Sequence, residues 1–248
     1  MSNIFSNEKL FGLLLSGGKS QRMGKDKAGL CYEGRPQLVR AMEFLSEFTD
    51  QQFLSLRKDQ QSDPLRQNYA PIFDLEEVQG PNSGLLAAHR AHPEVAWLVL
   101  ACDLPFADSK ALAPLVKARA EWQGEVSEKP VVFSWKSPFN GKAEPLCAIW
   151  EPAALKSLEK AVQEGAHCPR QAFKGLTEFL LTPEGKTGEG VEMPAEGLKA
   201  LYEALKAKYH FPMPSSDIRA AVNDEFVAWD YQVQENDTIV FIPPVTGG

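Results

Sequence analysis

Over its first 176 residues the chain alternates short apolar runs with longer stretches in which apolar residues recur at helical spacing. Residues 10–15 form an apolar run closed by Ser16-Gly17-Gly18, which predicts a buried strand. Residues 36–48 carry Leu38, Val39, Met42, Phe44 and Leu45 behind a proline, which predicts a helix with Pro36 near its start. Strands are predicted at 52–56 and 71–73, and an Ala-rich helix at 84–91. The run AWLVLAC at 96–102 is apolar throughout, as a strand buried on both faces requires. A helix at 108–122 with Asp108 in the capping position, strands at 130–135 and 146–150, and a helix at 152–164 continue the series. Alternating elements of this kind predict an α/β, Rossmann-like domain: a mostly parallel sheet with helices on both faces.

The pattern breaks at residues 182–190 (TPEGKTGEG), a Gly-rich, charged stretch without apolar periodicity that reads as a hairpin loop or linker. Beyond it, Leu198, Leu201, Tyr202 and Leu205 share one helical face. Three short strands follow at 218–222, 225–229 and 238–242, with turns at Asn223-Asp224 and 235–237. With a strand at 177–181 and a hairpin partner at 190–193, these elements predict a separate α+β unit. The expected division is therefore 1–176 and 177–248.

Charge supports two units. The formal net charge is −7, yet residues 1–176 hold 21 Lys+Arg against 21 Asp+Glu, whereas residues 177–248 hold 5 against 12. An acidic C-terminal unit is repelled by phosphate backbones, which argues against nucleic acid as its partner. No apolar run approaches the roughly 20 residues of a membrane span, and residues 1–9 lack the apolar centre of a signal peptide. Cys31, Cys102, Cys147 and Cys168 are widely spaced, with no CxxC pair. They are expected to be buried or half-buried free thiols in a cytoplasmic protein.

The chemistry concentrates behind the first strand, in LSGGKSQRMGKDKA at residues 15–28. Gly17, Gly18 and Gly24 let the backbone curl so that several N–H groups face one anion. Lys19, Arg22, Lys25 and Lys27 place four cations within nine residues, opposed by Asp26 alone. A triphosphate fits such a loop, which matches neither the Walker A nor the GxGxxG pattern. Asp103 lies at the end of the apolar strand 96–102, where open parallel sheets bind their ligands. A carboxylate there suits Mg²⁺; the alternative is a cap on the following helix.

The loop resembles that of the molybdenum-cofactor guanylyltransferase family, over roughly residues 9–176. Asp74 followed by QGPNSG at 79–84, and ACDLP at 101–105, agree with that family in order and spacing. The resemblance implies transfer of GMP from GTP to molybdopterin with release of pyrophosphate. It implies backbone recognition of the guanine by Leu15, Ser16 and Gly17, with Gly18 also in the nucleotide site. It further implies Lys27 on the α-phosphate, Arg22 and Lys19 on the outer phosphates, Asp74 on the nucleoside and Asp103 on Mg²⁺. The catalytic set is Lys27, Asp103 and Arg22. The chain departs from the family in two places. No Asn stands in FLSLR at 53–57, and FLLTPE at 179–184 lacks the Asn-x-Asn that lines the pterin side. Either that segment is lost or the second domain replaces it.

The chain ends FIPPVTGG. Pro243-Pro244 stiffens an extended exit, and Gly247-Gly248 forms a thin peptide that can enter a channel too narrow for a β-carbon. Residues 177–248 resemble the small subunit of molybdopterin synthase, a ubiquitin-like β-grasp sulfur carrier, through AVNDE at 221–225, END at 235–237 and this ending. The resemblance implies adenylation of the Gly248 carboxylate by an E1-like enzyme and its conversion to a thiocarboxylate. The molybdopterin synthase large subunit then receives the sulfur. Two other readings remain: a cytidylyltransferase using CTP, and a non-enzymatic sulfur carrier whose first domain serves only for docking.

Overall fold

The central strands sort their side chains alternately to two covered faces, which is why they read as continuous apolar runs. The structure is a computed structural model. It describes residues 9–18, 27–32, 34–104, 107–123, 131–137, 141–174, 176–182, 197–209, 213–223, 225–234, 237 and 239–242. The first elements are β1 (Leu10–Leu15), the two-residue ribbon β2 (Cys31–Tyr32) and β3 (Arg35–Pro36), α1 (Gln37–Ser46), β4 (Gln51–Leu56), β5 (Pro71–Phe73), α2 (Pro81–Ala91) and β6 (Ala96–Ala101). Next come α3 (Ser109–Ala120), β7 (Val132–Lys136), β8 (Ala143–Trp150), α4 (Pro152–Gln163) and β9 (Glu178–Leu181). The chain then runs through α5 (Leu198–Tyr209), β10 (Arg219–Val222), β11 (Glu225–Val227) and β12 (Ile239–Ile242).

Seven strands form one sheet in the order β5-β4-β1-β6-β8-β7-β9. Strands β5, β4, β1 and β6 pair in parallel, as do β7 and β9, while β8 runs antiparallel to both neighbours. Leu10 and Leu14 of β1, with Leu98 and Leu100 of β6, pack on one face against Leu38, Met42 and Leu45 of α1 and Leu112 and Leu115 of α3. Phe11, Leu13, Trp97 and Val99 pack on the other against Leu85 and Leu86 of α2 and Leu155 and Leu158 of α4. All six residues of β6 are buried. Asp108 caps α3 as its position predicts, accepting from the N–H groups of Lys110 (2.9 Å) and Ala111 (3.1 Å).

The division at 176/177 is corrected. The chain separates into Met1–Pro183 and Glu184–Gly248. The strand expected to open the second unit is β9, which pairs in parallel with β7 from Val132↔Glu178 to Trp135↔Leu181. Its Phe179 ring meets Phe133 at 5.5 Å and Trp122 at 5.7 Å, and this apolar burial draws the segment onto the large sheet. The thiol expectation is corrected in part. Cys102 and Cys147 are buried, whereas Cys31 and Cys168 are exposed because they lie on a two-residue ribbon and at a turn. Burial pushes the Cys147 thiol up to about 12.

In the second unit, β10 lies between β11 and β12 in an antiparallel sheet. The rings of Tyr202, Trp229 and Phe241 meet at 5.1–6.0 Å and join Leu198 and Ala220 in its core. Asp237 organises the turns: it accepts from Asn223 (2.7 Å), from the Gln234 N–H (2.8 Å) and from the Tyr231 hydroxyl (3.3 Å). Asn223 sits at φ 51°, a left-handed conformation that Asn tolerates. The expected hairpin partner at 190–193 and the tail 243–248 lie outside the described residues. No described helix is long and apolar enough to cross a membrane.

One ion pair in the large unit is buried at both ends: Arg119 Nε donates to Glu151 Oε1 at 2.6 Å. Glu151→Ala leaves the guanidinium buried without this partner and is expected to cost about 3–5 kcal/mol. The urea midpoint checks this, and an unchanged midpoint would show the pair to be dispensable.

Candidate active site

The sheet changes direction of growth at β1. From β1 the chain builds β4 and β5 on one side, then returns to place β6 on the other. The carboxyl ends of the strands around this change of order are where ligands of open α/β sheets bind. A cleft of about 1010 Å³ lies there. Its walls include the turn 15–18, Ser55 and Arg57 at the end of β4, Asp74 after β5, Gly80 and Gly84 around the start of α2, and Asp103 after β6.

Backbone bonds between neighbouring strands carry the turn outward from the sheet. The Leu15 carbonyl accepts from the Cys102 N–H at 3.0 Å. The Ser16 N–H and Oγ both donate to the Ser55 carbonyl, at 3.0 and 2.9 Å. Ser55 Oγ in turn donates to Asp74 Oδ1 at 2.5 Å, and the Asp74 N–H donates to the Leu56 carbonyl at 3.0 Å. This pinned carboxylate occupies the space beside Gly17 where a side chain would lie; a Cβ on Gly17 would overlap Asp74 Oδ2. Gly84 meets the same constraint from α2, because a Cβ there would overlap Ser55 Oγ and come within 2.8 Å of Leu15 Cδ2. Gly80 precedes α2 at φ 67°, a left-handed conformation natural to glycine, and Pro81 occupies the first turn of the helix. Within QGPNSG one glycine thus serves backbone conformation and the other serves close approach.

Burial pushes the Asp74 carboxyl up from its ordinary value, against the opposing pull of the Ser55 hydroxyl and the Arg57 guanidinium. Arg57 extends from the end of β4, where NH1 donates to the Gly17 carbonyl and Nε and NH2 pair with Asp59 at 2.9 and 3.1 Å. Gln60 Nε2 donates to the Ser16 carbonyl at 3.5 Å, and its Oε1 accepts from the Arg57 N–H at 3.0 Å. At the rim, Lys58 pairs with Glu76 at 2.8 Å.

Of the residues predicted from sequence, Leu15, Ser16, Gly17, Gly18, Asp74 and Asp103 line this one cleft. Lys27 opens a 3-10 turn, Lys27–Gly29, and its side chain lies outside the described residues. Lys19, Arg22 and Gly248 also lie outside them. Asp103 is exposed in the cleft, and the following helix takes Asp108 as its cap instead. Among the described residues no three His, Cys, Asp or Glu side chains gather as a metal site. A single exposed carboxylate still fits Mg²⁺, which takes few protein ligands and completes its shell with water and substrate phosphates. Ser55, Arg57 and Gln60 were missed in the sequence. The missing Asn in FLSLR drew attention to their segment, but only strand pairing brings them to the turn.

Residues 12–179 match the family described as MobA-like NTP transferase domain, and residues 184–248 match the ThiS family. Over 180 residues the chain is 38% identical to the molybdenum cofactor biosynthesis bifunctional protein of Synechocystis sp.. That alignment takes in 72% of this chain and 50% of the relative, so the chain spans about half the relative's length. It is 32% identical over 180 residues to the molybdenum cofactor guanylyltransferase of Pseudomonas fluorescens, covering 69% of this chain and 83% of that one. The crystal structure of molybdopterin-guanine dinucleotide biosynthesis protein A from Archaeoglobus fulgidus shares the fold. Its TM-score is 0.58 at 22% identity, over 81% of this chain and 100% of that chain. By the extent of these matches the chain belongs to the MobA-like NTP transferase family, with a ThiS family domain following it.

Proposed function

We propose that the first unit transfers GMP from GTP to molybdopterin and that the second carries sulfur as a thiocarboxylate on Gly248. The observation that carries the first half is the convergence of the turn 15–18, Asp74 and Asp103 on a cleft at a strand-order switch point. In this reading a terminal phosphate oxygen of molybdopterin attacks the α-phosphorus of GTP. A new P–O bond forms as the bond to the β-phosphate oxygen breaks, and pyrophosphate leaves. Such a transfer depends on positioning and charge neutralisation more than on covalent chemistry of the protein.

The backbone of Leu15, Ser16, Gly17 and Gly18 receives the nucleotide, and Asp74 contacts the nucleoside. Lys27 neutralises charge on the α-phosphate while Lys19 and Arg22 hold the outer phosphates. Asp103 holds Mg²⁺, whose charge, when bound, offsets that of the phosphates. The basis for the second half is the ThiS match together with the Gly-Gly ending. Its partners in this reading are an adenylating E1-like enzyme and the molybdopterin synthase large subunit.

Pyrophosphate release from GTP and molybdopterin tests the first half, with CTP as the control nucleotide. Asp103→Ala and Lys27→Ala should each slow release at least about 10²-fold. Release with CTP but not GTP would assign the other nucleotide, and no release with either would leave a docking domain. Deleting Gly248 should abolish thiocarboxylate formation, read as the mass change of an oxygen-to-sulfur exchange, and leave GTP affinity unchanged. Loss of GTP affinity on that deletion would contradict two separable units.

Asp74 links function to stability. Its folded pKa is raised, so stability falls as pH rises from the unfolded value through the folded one, and the ionised carboxylate is a net cost above it. Asp74→Asn should therefore raise the melting temperature at neutral pH and weaken GTP binding. In the wild type, affinity should fall as pH drops through the raised pKa, and the variant should lack that acid limb. A variant less stable at neutral pH, with affinity intact, would refute both roles.

A further inference from the structure

We propose that Arg57, assisted by Gln60, is the positioning residue of the cleft. It clamps the carbonyls of the Ser16-Gly17-Gly18 turn so that two amide N–H groups are aimed at the nucleotide. The inference rests on the reading of the cleft as a nucleotide site.

The argument starts from the peptide plane. In a trans peptide the carbonyl of one residue and the N–H of the next point in opposite directions. Arg57 NH1 holds the Gly17 carbonyl, which orients the Gly18 N–H to the opposite side. Gln60 Nε2 holds the Ser16 carbonyl at 3.5 Å, which orients the Gly17 N–H likewise. Both clamping side chains come from the segment directly after β4, and both acceptors belong to the turn directly after β1.

A clamp is needed because of the glycines. Gly17 has no room for a Cβ beside Asp74, and nothing lies within 4 Å of the Cβ position of Gly18. Two successive glycines let the peptide between them rotate at little cost, since glycine populates both signs of φ. In the rotated state a carbonyl oxygen, not an N–H, would meet a phosphate or an acceptor edge of the base. Apparent affinity then falls in proportion to the population lost to that state.

The guanidinium is itself held. Its Nε and NH2 form a two-point pair with Asp59, leaving NH1 to reach Gly17. The backbone N–H of Arg57 is tied to Gln60 Oε1 at 3.0 Å, so the two clamps brace each other. A planar fork can serve Asp59 and a carbonyl at once, whereas a lysine ammonium supplies charge without that geometry.

The test is GTP binding and steady-state kinetics with the full chain and Mg²⁺, comparing the wild type with Arg57→Ala and Arg57→Lys. A clamp that prepares the ground state predicts a Kd and KM for GTP raised about tenfold or more in Arg57→Ala. It predicts kcat within about threefold of the wild type. Arg57→Lys should recover part of the affinity, and amide exchange at Gly17 and Gly18 should be faster in Arg57→Ala. The inference is overturned by unchanged affinity, or by a fall in kcat at constant KM, which would put Arg57 on the reacting atoms. If Arg57→Ala does not fold, Arg57→Lys decides by the same split, and wild-type affinity from that variant overturns the inference. A wild type that binds no GTP refutes the nucleotide reading instead, and amide exchange in the variants still reports on the clamp.

Discussion

The contact on which the cleft depends is that between Gly17 and the carboxylate of Asp74. Asp74 is pinned by the Ser55 hydroxyl, and it fills the volume that any side chain at position 17 would need. The contact brings the ends of β1, β4 and β5 together, and α2 reaches the same point through Gly84. A β-carbon at either glycine would drive these elements apart. Burial of the carboxylate is the accompanying cost, visible in its raised pKa.

Around that point the large sheet acts as a rigid support. Covering both faces of β1 and β6 with helices removes water from the central strands and fixes their register. The strand ends then become the part of the sheet free to meet a ligand, and the cleft lies among them where the strand order changes at β1. A rigid sheet of this kind holds the groups at its strand ends in fixed relation to one another.

The second unit works with less material. A cluster of three aromatic rings and the hydrogen bonds to Asp237 hold a small antiparallel sheet under one helix. The backbone bond from Gln234 and the side-chain bond from Asn223 hold the Asp237 carboxyl below its ordinary value. Its acidic balance and its own core agree with a separate unit.

Local patterns along the chain determined much of this protein. Apolar runs marked β1 and β6, proline and Asp108 marked helix starts, and the glycine-rich strings marked the turn 15–18 and the start of α2 that line the cleft, because these signals depend only on near neighbours. Tertiary structure decided the rest. Residues 177–181 read as a strand of the second unit, and pairing with β7 placed 178–181 in the first. FLSLR read as a plain strand, yet pairing with β1 turned Ser55 and Arg57 into the supports of Gly17. The physical reason is that strand and helix propensity act within a few residues, whereas strand partners and side-chain clamps join positions some forty residues apart, which no local pattern encodes.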